Sequence, residues 1–162
     1  MKIEFKSFNE FTRGILYQQL LDAYSFNPEC CHAWEKDWIE YDNFFYDHLR
    51  FTNDCGFVML LDGVPMGHIS WDPRNLPDYV ILGHNCVLTE FKGKGYGHLL
   101  LTEAIKRIKT YEGIKKIIVT TNEIMIPAQR NYESVGFKLK NRRSNHEYPF
   151  AGDYLDYELK FE

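Results

Sequence analysis

The chain has 162 residues, 44% of them hydrophobic and 26% charged, which excludes a disordered protein and predicts one folded domain over residues 1–162. A net charge of -4 argues against a nucleic-acid partner, because binding to a phosphate backbone needs clustered Lys and Arg side chains. The amino terminus lacks the apolar region of a secretion signal, and no stretch approaches the roughly 18 apolar residues of a membrane span. We therefore expect a cytoplasmic protein without a membrane partner.

The four cysteines form no C-x-x-C pair, and we interpret all of them as reduced thiols. Cys30, Cys31 and His32 are adjacent, but a structural zinc site needs four ligands and the chain has no second cluster of this kind. We therefore expect no metal cofactor.

The first half of the chain begins with one strand and two helices. Ile3 and Phe5 alternate with charged residues and predict a strand over Lys2–Phe8. Helical spacing of apolar residues predicts a helix over Phe11–Tyr24, and Asn27-Pro28 is interpreted as its stop signal. The second helix carries an aromatic stripe that we expect to face the core: Trp34, Trp38, Tyr41, Phe45 and Leu49.

A hairpin and a central strand follow. The dipeptide Asp62-Gly63 favours a tight primed turn and predicts a hairpin between strands over 56–61 and 64–71. The apolar run Tyr79–Leu88 predicts a central strand, in which Gly83 indicates a bulge or a close approach of two main chains.

The second half of the chain alternates helices and strands. The patterns predict a helix over His98–Tyr111, a strand over Lys116–Thr121, a helix over Pro127–Val135, a strand starting at Phe137–Lys140 and an antiparallel strand over 155–161. We expect the strand at 116–121 to run parallel to the central strand. The fold class is therefore α/β, or α+β, with a mixed and mostly antiparallel sheet of six to seven strands flanked by about four helices.

The most informative segment joins the central strand to the next helix through three alternate glycines, Gly93, Gly95 and Gly97. Without side chains in the way, the main-chain N–H groups of such a loop converge on phosphate oxygens, and the positive end of the helix dipole adds to the attraction. The loop matches neither the Walker phosphate loop nor the dinucleotide fingerprint, whose third glycine would fall on His98. We expect it to bind a pyrophosphate, and a plain strand-to-helix turn is the alternative.

Two linked motifs resemble the GNAT superfamily of N-acetyltransferases. The family motif Gln/Arg-x-x-Gly-x-Gly/Ala is similar to Lys92-Gly93-Lys94-Gly95-Tyr96-Gly97, with Lys92 as the departure. The family signature Ala-x-x-x-Tyr-x-x-x-Gly-Phe matches residues 128–137 at every named position. A family asparagine seven residues before the tyrosine is replaced by Met125, and nearby Asn122 is a candidate substitute. The resemblance covers nearly the whole chain and implies a sheet that is splayed between its fourth and fifth strands.

The resemblance implies acetyl-coenzyme A (acetyl-CoA) as cosubstrate. By similarity, main-chain groups of the central strand would hold its pantetheine arm and acetyl carbonyl, and the glycine loop would hold its phosphates. The implied binding residues are Asn85, Cys86, Val87, Lys92, Gly93, Lys94, Gly95, Tyr96, Gly97 and His98.

The implied reaction is direct attack of a neutral amine on the acetyl group in a ternary complex. The family position implies that Tyr132 is the general acid for the departing thiolate, although a packed core tyrosine is the alternative. His84 and Glu90 are the candidate bases, since a histidine has a suitable pKa and Glu90 lies at the mouth of the loop. His84 as a hydrogen-bonded core residue is the alternative, and we do not expect Cys86 to be a nucleophile.

The residues that the family uses to shape the acceptor site leave two classes of acceptor amine open. The acids Asp37, Glu40, Asp42 and Asp47 would attract a cationic small molecule, whereas Arg142, Arg143 and His146 would suit an acidic acceptor or a peptide carboxylate. A non-catalytic acyl-CoA-binding sensor or interaction module is the alternative function. The sequence leaves the oligomeric state open, and a homodimer is one possibility.

Overall fold

The computed structural model describes residues 1–162 and contains seven strands, five α-helices and three short 3-10 turns. The strands are β1 (Ile3–Lys6), β2 (Gly56–Leu61), β3 (Val64–Asp72), β4 (Val80–Val87), β5 (Lys116–Asn122), β6 (Lys138–Arg143) and β7 (Tyr154–Lys160). The helices are α1 (Ile15–Ala23), α2 (Pro28–Asp47), α3 (Leu49–Thr52), α4 (Tyr96–Ile108) and α5 (Ile126–Ser134). No helix is long and apolar enough to cross a membrane. The order of elements is the predicted one, and the single-turn α3 is the helix beyond the expected four.

The strands form one open sheet in the order β1-β2-β3-β4-β5-β7-β6. The pairs β1–β2, β2–β3, β5–β7 and β6–β7 are antiparallel, whereas β4 and β5 are parallel. Parallel pairing joins Val80 to Ile117 and Ile81 to Ile118 and then stops, although both strands continue. The mixed, mostly antiparallel sheet that is splayed between β4 and β5 is therefore confirmed.

Two compact units make up the chain, and each is described by itself. The first unit comprises Met1–Ser70 and His84–Leu100, and the second comprises Trp71–Gly83 and Leu101–Glu162. In the first unit, one apolar cluster combines the amino-terminal turn with α1, α2 and β2: Phe8, Leu16, Phe45, Cys55, Val58 and Leu60. A second cluster joins α1, α2 and the end of β4: Leu20, Ala23, Trp38 and Cys86. The expected core face of the α2 stripe is confirmed by Trp38 and Phe45, which are both buried.

The interpretation of Asn27-Pro28 as a helix stop is wrong, because these residues begin α2. The Asn27 side chain accepts hydrogen bonds from the N–H groups of Glu29 and Cys30 at 3.0 and 3.3 Å, and Pro28 occupies the first helical position. The preceding helix already ends at Ala23. Asparagine followed by proline suits a helix start as well as a turn, since proline lacks the N–H that a first turn leaves unpaired.

The start of α1 is capped by a residue that is distant in sequence. Gly14 precedes the helix in a left-handed conformation and has no side chain to cap it. The Asp42 carboxylate instead accepts hydrogen bonds from the N–H groups of Gly14, Leu16 and Tyr17 at 2.9, 2.9 and 3.1 Å. Asp42 is 3% exposed, so it is a structural cap and does not face an acceptor as the sequence suggested.

Candidate active site

The glycine loop, residues Lys92–His98, connects a 3-10 turn after β4 to the first turn of α4. Gly93 and Gly95 have φ angles of +77° and +84°, in the left-handed region that residues other than glycine rarely adopt. No heavy atom lies within 4 Å of a Cβ built on either residue. The loop therefore needs glycine for its backbone conformation and leaves open space where side chains would stand.

The main chain of this loop supplies donors at the start of α4. Leu99 donates its N–H to the Gly95 carbonyl at 3.3 Å, which closes the first helical turn. The amides that precede Leu99 lie at the helix amino terminus, where an α-helix offers no carbonyl partner and carries partial positive charge. A strand, a glycine loop and a helix start in this order can bind an anion such as a phosphate.

Lys92 extends its ammonium group toward the end of α1. The ammonium donates to the Ala23 carbonyl and lies 4.7 Å from the centroid of the Phe26 ring. Thr89 adds two hydrogen bonds to Asp22, from its N–H at 2.8 Å and from its hydroxyl at 2.9 Å. Burial lowers the pKa of Lys92. These contacts anchor the loop on α1, and phosphate binding by the Lys92 side chain stays a prediction.

Cys86 turns its thiol away from solvent at the end of β4. The side chain is 7% exposed, and its Sγ lies 3.5 Å from Nδ1 of His68. Burial raises the pKa of the thiol to about 12, so it is not a nucleophile at neutral pH. A Cβ on Gly67 of β3 would lie 2.2 Å from the Cys86 carbonyl oxygen, so the two main chains approach closely here. This close approach is at Gly67 on the neighbouring strand, and the bulge or close approach expected at Gly83 stays a prediction.

His84 lies on β4 against an aromatic ring of α2. The centroids of the His84 and Tyr41 rings are 4.6 Å apart with an interplanar angle of 58°. The residue is exposed, yet the surrounding protein displaces enough water to lower its pKa, while the charge of Asp37 opposes this shift. The ring is therefore neutral near pH 7 and has a lone pair that can accept a proton.

Polar side chains continue from His84 into the interior of the first unit. Tyr41 donates its hydroxyl to Ser70 Oγ at 2.7 Å, and Ser70 donates to the His84 carbonyl at 3.3 Å. His68 is fully buried, with Nδ1 2.8 Å from Gln19 Oε1 and Nε2 without a hydrogen-bond partner. Burial lowers the pKa of His68 to about 3, so Nδ1 is the donor of a neutral ring. We call Gln19, Tyr41, His68, Ser70 and His84 the imidazole cluster.

Of this cluster, the sequence singled out only His84 as a candidate catalytic residue and placed Tyr41 in the core-facing stripe of the second helix. The signal that could have revealed more is the pair His68 and Ser70, two polar residues in a strand that is otherwise apolar between Met66 and Trp71. Gln19 and Tyr41 carry no such signal, because polar and amphipathic residues are common on helices that cover a sheet.

The remaining catalytic candidates lie elsewhere in the chain. Glu90 is exposed in the 3-10 turn before the glycine loop. Tyr132 belongs to α5 in the second unit, where it is 4% exposed and packs against Phe137 and Tyr157 with ring centroids 5.7 and 5.9 Å away. The core packing that we weighed as the alternative for Tyr132 is present, and its role as the acid stays a prediction, as does that of Glu90 as a base.

The basic acceptor loop expected at residues 142–146 is largely neutralised. Arg142 and Arg143 lie in β6, where Arg142 pairs with Glu123 and, at 2.8 Å, with Asp153. Arg143 pairs with Asp156 at 2.7 Å. Hydrogen bonds to these carboxylates raise the pKa of both arginines. The local sequence does not reveal this pairing, because the acids are 11 to 19 positions away from the arginines along the chain.

The acids of α2 are also partly engaged, and no metal site is formed. Asp42 caps α1, and Asp47 forms an ion pair with Arg13. Asp37 and Glu40 are both exposed on α2. No group of three or more His, Cys, Asp or Glu side chains is arranged to hold a metal ion.

Comparisons with known proteins place this fold and loop in one family. The chain belongs to the GNAT acetyltransferase family, whose model matches residues 16–137. A GNAT-family protein from Desulfovibrio desulfuricans has the same fold, with 17% identity, a TM-score of 0.74 and 98% coverage of both chains. A GNAT acetyltransferase from Elizabethkingia anophelis, solved with acetyl-CoA bound, gives 18% identity, a TM-score of 0.66 and coverages of 99% and 97%.

A third solved structure has a similar fold. The ribosomal-protein-S18-alanine N-acetyltransferase from Escherichia coli shares 18% identity with this chain, with a TM-score of 0.69 and coverages of 98% and 94%. No curated protein matches the sequence. At these identities the structural likeness establishes the fold alone.

Proposed function

We propose that this protein transfers an acetyl group from acetyl-CoA to an amine of a small molecule or peptide, by direct attack in a ternary complex. The observation that carries the proposal is the glycine loop, in which Gly93 and Gly95 adopt left-handed conformations next to open space at the start of α4. Membership of the GNAT family supports acetyl-CoA as the donor. The E. anophelis relative was solved with that molecule bound.

The residues of the first unit fit the chemistry of acetyl-CoA. Amides of the glycine loop would hold the pyrophosphate, because the absent side chains let oxygen atoms approach the main chain closely. Main-chain groups of Asn85, Cys86 and Val87 would bind the amide-containing arm. The Cys86 thiol faces the core, so the main chain is the polar part that remains for a ligand.

His84 is the base in this proposal. A primary amine is mostly protonated at neutral pH and must lose a proton before it attacks a carbonyl. The lowered pKa keeps the imidazole ready to accept that proton, directly or through one water. Glu90 remains the rival. Tyr132 would donate the proton taken by the departing thiolate, since a phenol has an ordinary pKa of about 10. The proton that the attacking nitrogen loses as the amide forms would return through water to the tyrosine and balance this transfer.

The acceptor in this proposal is a cationic amine. The sequence left acidic and cationic acceptors open, and three observations favour the cationic class. Arg142 and Arg143 are paired with carboxylates, so they offer no free charge to an anion. Asp37 is exposed on α2 and is the charged residue whose field acts on His84. An aromatic ring, that of Tyr41, lies against His84 and suits an ammonium group as well.

The first test is a calorimetric titration of acetyl-CoA into the wild-type protein and two matched variants. Gly95→Glu places a bulky anion where the pyrophosphate would bind, and we expect at least a 100-fold loss of affinity. Gly63→Glu is the control, because Gly63 also has a left-handed φ, +81°, and open space around it, but lies in the β2–β3 turn. Both variants carry similar backbone strain, so only Gly95→Glu should lose binding.

The outcomes separate the candidate functions. Tight binding together with release of free coenzyme A in the presence of amines supports the enzyme. Tight binding without turnover of any amine supports the alternative, a non-catalytic acyl-CoA sensor. Absence of binding to the wild-type protein contradicts both.

A further inference from the structure

Tyr41 contacts both histidines of the imidazole cluster. Its ring lies 4.6 Å from that of His84 at an interplanar angle of 58°, and 6.1 Å from that of His68 at 23°. Tyr41 comes from the middle of α2, whereas both histidines come from adjacent strands of the sheet. The side chain therefore connects the covering helix to the candidate base.

The hydroxyl of Tyr41 makes a second connection, to the main chain of the same histidine. It donates to Ser70 Oγ at 2.7 Å, and Ser70 donates to the carbonyl oxygen of His84 at 3.3 Å. A serine hydroxyl can accept one hydrogen bond while it donates another, so the two bonds form a relay. Burial raises the pKa of Tyr41, which keeps the phenol protonated and fixes it as the donor. Ser70 is 1% exposed, so water does not compete for these bonds.

We propose that Tyr41 is the positioning residue for His84: its ring holds the imidazole, and its hydroxyl, through Ser70, holds the main chain from which the imidazole projects. This inference rests on the proposed function, in which His84 takes the proton of the amine. A base must be held within hydrogen-bond reach of that proton, and a small misplacement lowers the rate steeply.

The electrostatic surroundings of His84 make the effect of Tyr41 measurable. The groups that act on the imidazole are Asp37 and Tyr41 of α2 and His68 of β3. His68 is uncharged near pH 7, because burial lowers its pKa. Removing the ring of Tyr41 admits water next to His84 and relieves the desolvation that lowers its pKa.

Three variants separate ring, hydroxyl and general destabilisation. Tyr41→Leu removes the ring, and Tyr41→Phe removes only the hydroxyl. Tyr46→Phe is the matched control, since Tyr46 lies on the same helix, is half-buried and donates its hydroxyl to the Phe8 carbonyl at 2.9 Å. Each protein is studied by a pH titration of the His84 ring by NMR and by steady-state kinetics with a saturating amine.

The expected results differ for each variant. In Tyr41→Leu the midpoint of the His84 titration rises toward the ordinary value of 6.5, and kcat falls by roughly 100-fold. In Tyr41→Phe the midpoint changes little and kcat falls by about tenfold, while KM for acetyl-CoA is unchanged. Tyr46→Phe changes neither quantity, although it also loses one hydrogen bond.

The opposite results overturn the inference. If Tyr41→Phe and Tyr46→Phe lower kcat equally, the role of Tyr41 is structural. If the His84 midpoint is the same in Tyr41→Leu as in wild type, the ring does not set the environment of His84. Failure of the proposed function is recognised separately, because acetyl-CoA binding and amine turnover by the wild-type protein are measured first.

Discussion

The glycine loop and the imidazole cluster both belong to the first unit, yet the loop depends on its main chain and the cluster on its side chains. In the loop, Gly93 and Gly95 shape the main chain, and the donors are amides. In the cluster, side chains from α1, α2, β3 and β4 meet through specific hydrogen bonds and ring contacts. A loop of main-chain donors tolerates changes of its side chains and demands its glycines, whereas the cluster depends on every side chain. We therefore expect substitutions to affect binding in the loop and turnover or stability in the cluster.

The largest difference between turnover and acetyl-CoA binding is expected in the variant His84→Gln. Loss of the base should lower kcat/KM for the amine by 10²-fold or more and leave acetyl-CoA affinity within about twofold. In the wild-type protein, kcat/KM for the amine should rise with pH, and the midpoint of this rise should lie below the ordinary histidine pKa of 6.5. Desolvation causes this, because it lowers the pKa of His84. Steady-state kinetics across pH measures both. A larger loss in Glu90→Gln than in His84→Gln would assign the base to the turn before the loop.

The second effect concerns the stability of the cluster at low pH. His68 has a pKa of about 3 when buried and 6.5 in an unfolded chain, so the unfolded state binds more protons between these values. The free energy of unfolding should therefore fall as pH decreases from 6.5 toward 3, with a slope from this group of up to about 1.4 kcal/mol per pH unit. Urea unfolding at several pH values measures the slope. A His68→Gln variant should show a flatter dependence, and an unchanged slope would contradict the burial of a neutral ring.

The smallest effect is expected at Asp37, which acts on the cluster through its charge. Asp37→Asn should reduce the preference for 1,4-diaminobutane over 4-aminobutyrate, two acceptors of equal length that differ in the charge of one end, by about threefold to tenfold. The titration midpoint of His84 should fall at the same time, because the Asp37 charge raises its pKa. Rates with both amines and an NMR titration measure these changes.

The matched control for Asp37 is Glu40→Gln, which removes one negative charge from another exposed residue of α2. It should leave the His84 midpoint unchanged, since Glu40 is not among the groups that shift it. Equal rates with the two amines in the wild-type protein would argue against a cationic acceptor.

Local patterns predicted most of the fold correctly. The alternation in β7, the β-branched run in β5 and the Asp62-Gly63 turn each depend on residues that are neighbours in sequence, and each lies where it was expected. Element ends were less predictable, and Asn27-Pro28 shows why. The same two residues suit a helix start and a turn, and the choice depends on the packing of α1 and α2, which the local sequence does not contain.

The sequence by itself determined the order of the elements, the glycine loop and the family resemblance, because main-chain conformation and strand or helix period are encoded by adjacent residues. Only the tertiary structure decided the use of the charged and polar side chains. It assigned Asp42 to the cap of α1, paired Arg142 and Arg143 with acids, and brought Tyr41 to His84. These partners are 11 to 43 positions apart in the sequence, and their contacts depend on packing free energy rather than on local conformational preference.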